Sequence, residues 1–163
     1  MMTTANGQAK LGHGYYLEDL SPDMEASVSK TITEQDIEAF AELSGDRNAI
    51  HLDPAAAQAA GFEGPIAHGA LGLAVATGLA SQVGLTRGTL VALTGIKWRF
   101  RGPIRPGDRV TLHLTVASTR ATGNPSRGLV TLAAQLRNQS ADVVQEGEFV
   151  ELIRKRPPAG GEA

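Results

Sequence analysis

The sequence predicts an α+β domain in which a curved antiparallel sheet covers one long buried helix. Two observations carry this. Residues 69–83, "GALGLAVATGLASQV", contain no charged residue and are apolar on nearly every side, the mark of a helix enclosed by protein. After Gly88 the texture changes to stretches rich in β-branched residues that alternate in polarity. Helices segregated from an antiparallel sheet define the class. A chain of 163 residues is long enough to bury a core as one domain.

The elements follow in order. Residues 1–13 are expected to be a disordered leader, 14–154 one domain, and 155–163 ("KRPPAGGEA" from Lys155) a disordered tail. "MEASVSKTI" (24–32) reads as a strand. "TEQDIEAFAELSG" is a helix: Thr33 caps it, Glu34 and Asp36 suit its positive end, and Gly45 stops it. "HLDPAAAQAAG" is a second, short helix with Asp53 as cap, Pro54 at the first position and Gly61 after the end. Gly64-Pro65 turns the chain into the long helix 69–83. Residues 89–100, 108–119, 127–139 and 143–155 read as four strands of a meander, with "RPGD" and "GNPSRG" as turns. One helix wrapped by a curved sheet is the hot-dog architecture.

Composition excludes several functions. The chain has no cysteine, so it has no disulfide, thiolate site or thiol nucleophile. A net charge of -2 gives no bulk attraction for nucleic acid or an anionic membrane. Aromatic residues are 4%, too few for a base-stacking platform. The stretch Met1–Lys10 is polar and lacks the apolar core of a signal peptide. The longest apolar run is shorter than the about 20 residues a spanning helix needs. The expected location is the cytoplasm.

"SGDRNAIH" (44–51) places an acid and an imidazole on opposite shoulders of a short connector between two helices. In a continuous helix Asp46 and His51 would point apart; a loop folds them toward a common point. Taken alone, Asp46 is a turn residue making a local hydrogen bond, and His51 a half-buried residue before a helix. The helix start near Gly69 offers an N–H with no intrahelical partner at the positive dipole end. Asp46, His51 and His68 lack any standard metal-ligand spacing, so no metal and no cofactor is expected. His13 and His113 have no motif context.

Along "KWRFR" (97–101), Trp98 and Phe100 share one strand face and read as core. Lys97, Arg99 and Arg101 share the other. That row is either a solvated face or a contact for phosphate oxygens, which match the arginine fork.

With "YYLEDL" (15–20), "TEQDIEAFAELSGD", "GPIAHGALG" (64–72) and "RFRGPIRPGDRV" (99–110), the chain resembles the MaoC-like single-domain hot-dog dehydratases, including the (R)-specific enoyl-CoA hydratases. The resemblance runs from about Tyr15 to Arg154. The family motif is a small residue, Gly, Asp, any residue, Asn, Pro, an aliphatic and His. Here Ala49 stands at the Pro position, which frees the loop at a cost of about 0.4–1 kcal/mol.

The resemblance implies reversible hydration of a trans-2-enoyl thioester to a (3R)-hydroxyacyl thioester. It implies that Asp46 and His51 activate water, that Gly69 donates its N–H to the thioester oxygen, and that Asn48 either braces the loop or touches substrate. Arg99 and Arg101 become the candidate contacts for CoA phosphates, with Arg105 and Arg109 as helpers. The substrate is an acyl-CoA or an acyl carrier protein thioester, and two subunits pair as a homodimer or a higher assembly of dimers. The rivals are a hot-dog thioesterase, which needs a carboxylate on the long helix, and a non-catalytic acyl-binding subunit.

Overall fold

The computed structural model of the protein describes residues 13–158. After one turn of 3-10 helix at Leu17–Asp19, the chain forms β1 (Glu25–Thr31), α1 (Glu34–Ser44), α2 (Ala49–Leu52), α3 (Pro54–Ala59) and α4 (Gly69–Val83). Four long strands follow: β2 (Leu90–Phe100), β3 (Arg109–Ala121), β4 (Arg127–Arg137) and β5 (Val143–Arg154). All strand pairings are antiparallel, in the order β1-β3-β4-β5-β2. The sheet faces α4, and the fold is the hot-dog.

The expected four-stranded meander holds only for β3–β5. β2 lies at the far edge, paired to β5 and not to β3. Residues 101–108 therefore cross the molecule. The Arg101 and Gly102 N–H groups donate to Val144 O, Ala67 N–H donates to Ile104 O at 2.7 Å, and Gly107 N–H donates to Ile32 O at 2.7 Å. That crossing seats the connection under the segment leading into α4.

Period-2 burial defines the inner face. Val110, Leu112, Leu114 and Val116 of β3 are buried, as are Val130, Leu132, Ala134 and Leu136 of β4. They pack on Leu71, Ala76 and Leu79 of α4. The small residues of α4 allow close approach. A Cβ at Gly72 would lie 2.2 Å from the Gln145 amide nitrogen, so any larger residue there would have to displace that amide.

Residues 1–12 and 159–163, most of the expected leader and tail, lie outside the described residues. His13 stacks on Tyr16 at 5.3 Å. Lys155 N–H donates to Ser126 O at 2.9 Å, and Arg156 pairs with Asp19.

One acid is buried on the inner face. Glu151 is 7% exposed, and its Oε2 has no partner. Burial pushes its carboxyl above the usual carboxylate range, and a hydrogen bond with Thr86 opposes this in part. Between the ordinary and the raised value the folded state holds a proton that the unfolded chain has lost, so stability falls as pH rises through that window. Glu151→Gln removes this dependence. The melting temperature of the variant minus that of wild type should become more positive from about pH 4 to about pH 8. A pH-independent difference would show that Glu151 does not titrate in this way.

Candidate active site

α1 delivers the acid. The Thr33 hydroxyl accepts from Asp36 N–H at 3.1 Å, and the Asp36 carboxylate accepts from Thr33 N–H at 2.9 Å, a reciprocal cap. Gly45, at φ 76°, ends the helix in the left-handed conformation that glycine tolerates. The chain then enters two nested side-chain turns. Asp46 Oδ1 accepts from Asn48 N–H at 3.2 Å, and Asn48 Oδ1 accepts from Ile50 N–H at 3.3 Å. Asn48 thereby caps α2, and His51 sits within this single helical turn. The connector was expected to be irregular, with His51 ahead of the next helix; the Asn48 cap is what turns it into helix.

These turns hold the loop without a proline. Ala49 is the first residue of α2, where the N–H lacks an intrahelical partner. Asn48 has ψ 131°, a value that a following proline tolerates. Ala49→Pro should raise stability by about 0.4–1 kcal/mol in denaturant unfolding. Destabilisation would mean that the loop geometry differs from this one.

The loop of residues 46–51 is tied to the segment before α4. Ile66 N–H donates to Ile50 O at 3.3 Å. His51 Nδ1 lies 2.7 Å from Ile66 O, and His68 Nε2 lies 2.8 Å from Asp46 O. A carbonyl only accepts, so both of these ring nitrogens carry hydrogen. In the neutral tautomers His51 Nε2 and His68 Nδ1 hold the lone pairs. The two rings stack, with centroids 3.7 Å apart and planes at 29°. His68 is 2% exposed, its Nδ1 has no partner, and Phe40 lies 5.0 Å from it. Asp46 is exposed and His51 half-buried.

Ligating atoms of Asp46, His51 and His68 lie within 4.8 Å of one another. The stack works against a shared metal. Imidazole lone pairs lie in the ring planes, and planes inclined by 29° do not meet near the nitrogens. A metal needs both lone pairs to converge about 2.0–2.1 Å away. The set suits water better, because the free ring nitrogen of His51 and the Asp46 carboxylate are both hydrogen-bond acceptors.

Gly69 opens α4 beside this pair. His68 is the helix cap but makes no side-chain cap bond. Its carbonyl accepts from Leu71 N–H and Gly72 N–H, while the Gly69 N–H, one residue in, has no intrahelical partner. A Cβ at Gly69 would meet the Phe100 ring at 3.0 Å. Phe100, expected in the core, is 59% exposed and lies over the helix start. Trp98 packs inward on Phe149 at 5.3 Å.

The structure thus brings Asp46 and His51 together with His68 within 4.8 Å, with Asn48 bonded to Asp46 in the same loop and Gly69 next to His68 in the chain. It does not bring Arg99 or Arg101 to them. Arg101 is held by Glu146 through Nε at 2.8 Å and Nη2 at 2.6 Å. Arg99 lines a groove of about 460 Å³ on the outer sheet face with Lys97, His113, Gln135 and Glu148, and none of those site residues borders it. Arg105 pairs with Glu63 at 3.4 Å. Sequence reasoning missed the buried Gln145, whose amide donates to Gly69 O.

Among the described residues, no helix is long and apolar enough to cross a membrane. The MaoC like domain profile matches residues 19–138. The chain is 35% identical to the (R)-specific enoyl-CoA hydratase of Rhodospirillum rubrum over 87% of its own length and 94% of that protein. It is 32% identical to the (R)-specific enoyl-CoA hydratase of Aeromonas caviae over 82% of its length and 95% of that protein. The solved structure of the (R)-hydratase from A. caviae, involved in PHA biosynthesis, superposes with a TM-score of 0.71 at 32% identity, covering 86% of this chain and 99% of that one. An acid in the turn after a capped helix, a stacked imidazole beside it and an open helix N-terminus thus sit on the fold of these relatives, and the chain belongs to the MaoC-like family of hot-dog dehydratases.

Proposed function

We propose that the protein is a hydro-lyase that reversibly hydrates trans-2-enoyl-CoA to (3R)-hydroxyacyl-CoA. The observation that carries this is the cluster of the Asp46 carboxylate with ring nitrogens of His51 and His68 within 4.8 Å, next to the helix start at Gly69, whose cap residue is His68 itself. Water is a poor nucleophile and needs a positioned base. Asp46 and His51 hold it from two sides and take its proton as its oxygen bonds to C3. A proton returns to C2, and the charge that builds on the thioester oxygen meets the Gly69 N–H at the positive end of α4. Asn48 holds the loop. No step calls for a metal or a cofactor. The absence of cysteine fits the cytoplasm as the place of reaction.

α4 contains no Asp or Glu, which disfavours a thioesterase. The test is crotonyl-CoA with enoyl absorbance and free thiol followed together. The account expects the enoyl signal to fall with no thiol released. Thiol released in step with it identifies a hydrolase, and binding without either change identifies an acyl-binding subunit.

The assembly we propose is a homodimer joined along β2. This edge strand exposes Leu90, Val91, Leu93, Ile96 and Phe100, and such edges are normally covered. A CoA phosphate has Arg99 to meet rather than Arg101, which Glu146 already neutralises. Arg99→Ala should raise KM for a CoA substrate and leave KM for its pantetheine analogue unchanged. Equal effects on both would remove this role.

A further inference from the structure

We infer that Gln145, held by Trp98, is the positioning residue of the Gly69 N–H donor, an inference that rests on the hydratase reading. Gln145 lies on β5 and is 2% exposed. Its Nε2 donates to Gly69 O at 3.1 Å, and its Oε1 accepts from Trp98 Nε1 at 2.9 Å. The indole N–H can only donate, so the amide has one permitted orientation. Flipping it would set donor against donor at Trp98 and acceptor against acceptor at Gly69. The helix makes room for this group, because the Gln145 amide occupies the place of a Cβ at Gly72.

Gly69 needs such a clamp. It lacks a Cβ, and its two flanking peptide planes rotate more freely than at any other residue. The plane carrying its N–H is adjacent to His68, whose ring is pinned to Asp46 O. The plane carrying its C=O is gripped by Gln145. Gln145 is also the register partner of Phe100, whose ring covers Gly69. One buried amide therefore sets the depth of the helix start and the strand that overlies it. It is buried, its amide is engaged by Gly69 and Trp98, and it acts through Gly69.

The test uses Gln145→Met, which keeps the volume and loses both hydrogen bonds, and Trp98→Phe, which keeps a ring on Phe149 and releases the amide. Two readouts are taken: kcat and KM for an enoyl-CoA, and the red shift in absorbance when a chromophoric enoyl thioester binds, which reports carbonyl polarisation. Removal of an oxyanion donor costs about 10²–10³ in kcat. Misplacing it should cost about 10-fold or more, with KM little changed and the red shift reduced. Trp98→Phe should show the same pattern in smaller measure, and it decides the matter if Gln145→Met does not fold. Variants that melt earlier but keep kcat and the red shift would make the network purely structural and overturn the inference. Wild type without turnover or red shift would instead refute the hydratase reading.

Discussion

Asp46→Asn should lower kcat for enoyl-CoA hydration by about 10²–10⁴, the range for losing a positioned general base. The reason is chemical rather than structural. Asparagine keeps an Oδ1 that accepts the Asn48 N–H, and the Asp46 carbonyl that receives His68 Nε2 belongs to the backbone. The loop, the α2 cap and the histidine stack should survive, so the melting temperature should stay within a degree or two of wild type. What is lost is the carboxylate proposed to accept a proton from water. Steady-state kinetics beside a thermal melt checks both halves. A folded Asp46→Asn enzyme that keeps half its activity would remove Asp46 from the chemistry and leave His51 as the sole base.

Ile96→Glu should convert the proposed dimer to a monomer. Ile96 lies mid-strand on the β2 edge and is 45% exposed in the single chain, so a charge there leaves the fold intact. In a two-fold dimer the change appears twice at one interface. An unpaired buried charge costs about 3–5 kcal/mol, a loss of about 10²–10⁴ in affinity for each copy of the change. Phe100 is the less informative position, because its ring also covers Gly69. Light scattering at micromolar concentration should give twice 17.0 kDa for wild type and 17.0 kDa for the variant. A wild-type monomer, or an unaltered Ile96→Glu dimer, would contradict assembly along β2.

Local chemistry made much of the fold legible. Thr33, Gly45, Asp53 and Pro54 mark helix ends through their own hydrogen bonds and φ values, and the structure places them as caps and stops. Alternation separated Trp98 from Arg99, and the structure puts them on opposite sheet faces. The remainder depends on partners distant in sequence. A strand pattern does not name its neighbour, so β2 was expected beside β3 and lies beside β5. Phe100 reads as core because it is apolar and in phase with Trp98, but its strand is an edge. In the site, Asp46, Asn48 and His51 were named by the short motif that the chain shares with the family it resembles; spacing alone left Asp46 a turn residue and His51 a half-buried one. His68 reaches Asp46 across 22 positions and Gln145 reaches Gly69 across 76. Gln145 is an ordinary polar residue in a strand pattern, and nothing local distinguishes it. α2 escaped notice because four residues are too few to show a helical period.

The most direct test of the central claim is the handedness of the product formed from crotonyl-CoA by the purified wild-type protein. The account predicts (3R)-3-hydroxybutyryl-CoA, formed without thioester cleavage and not formed by Asp46→Asn. A (3S) product, or no hydration of crotonyl-CoA or of longer and branched enoyl thioesters by the folded protein, would contradict it.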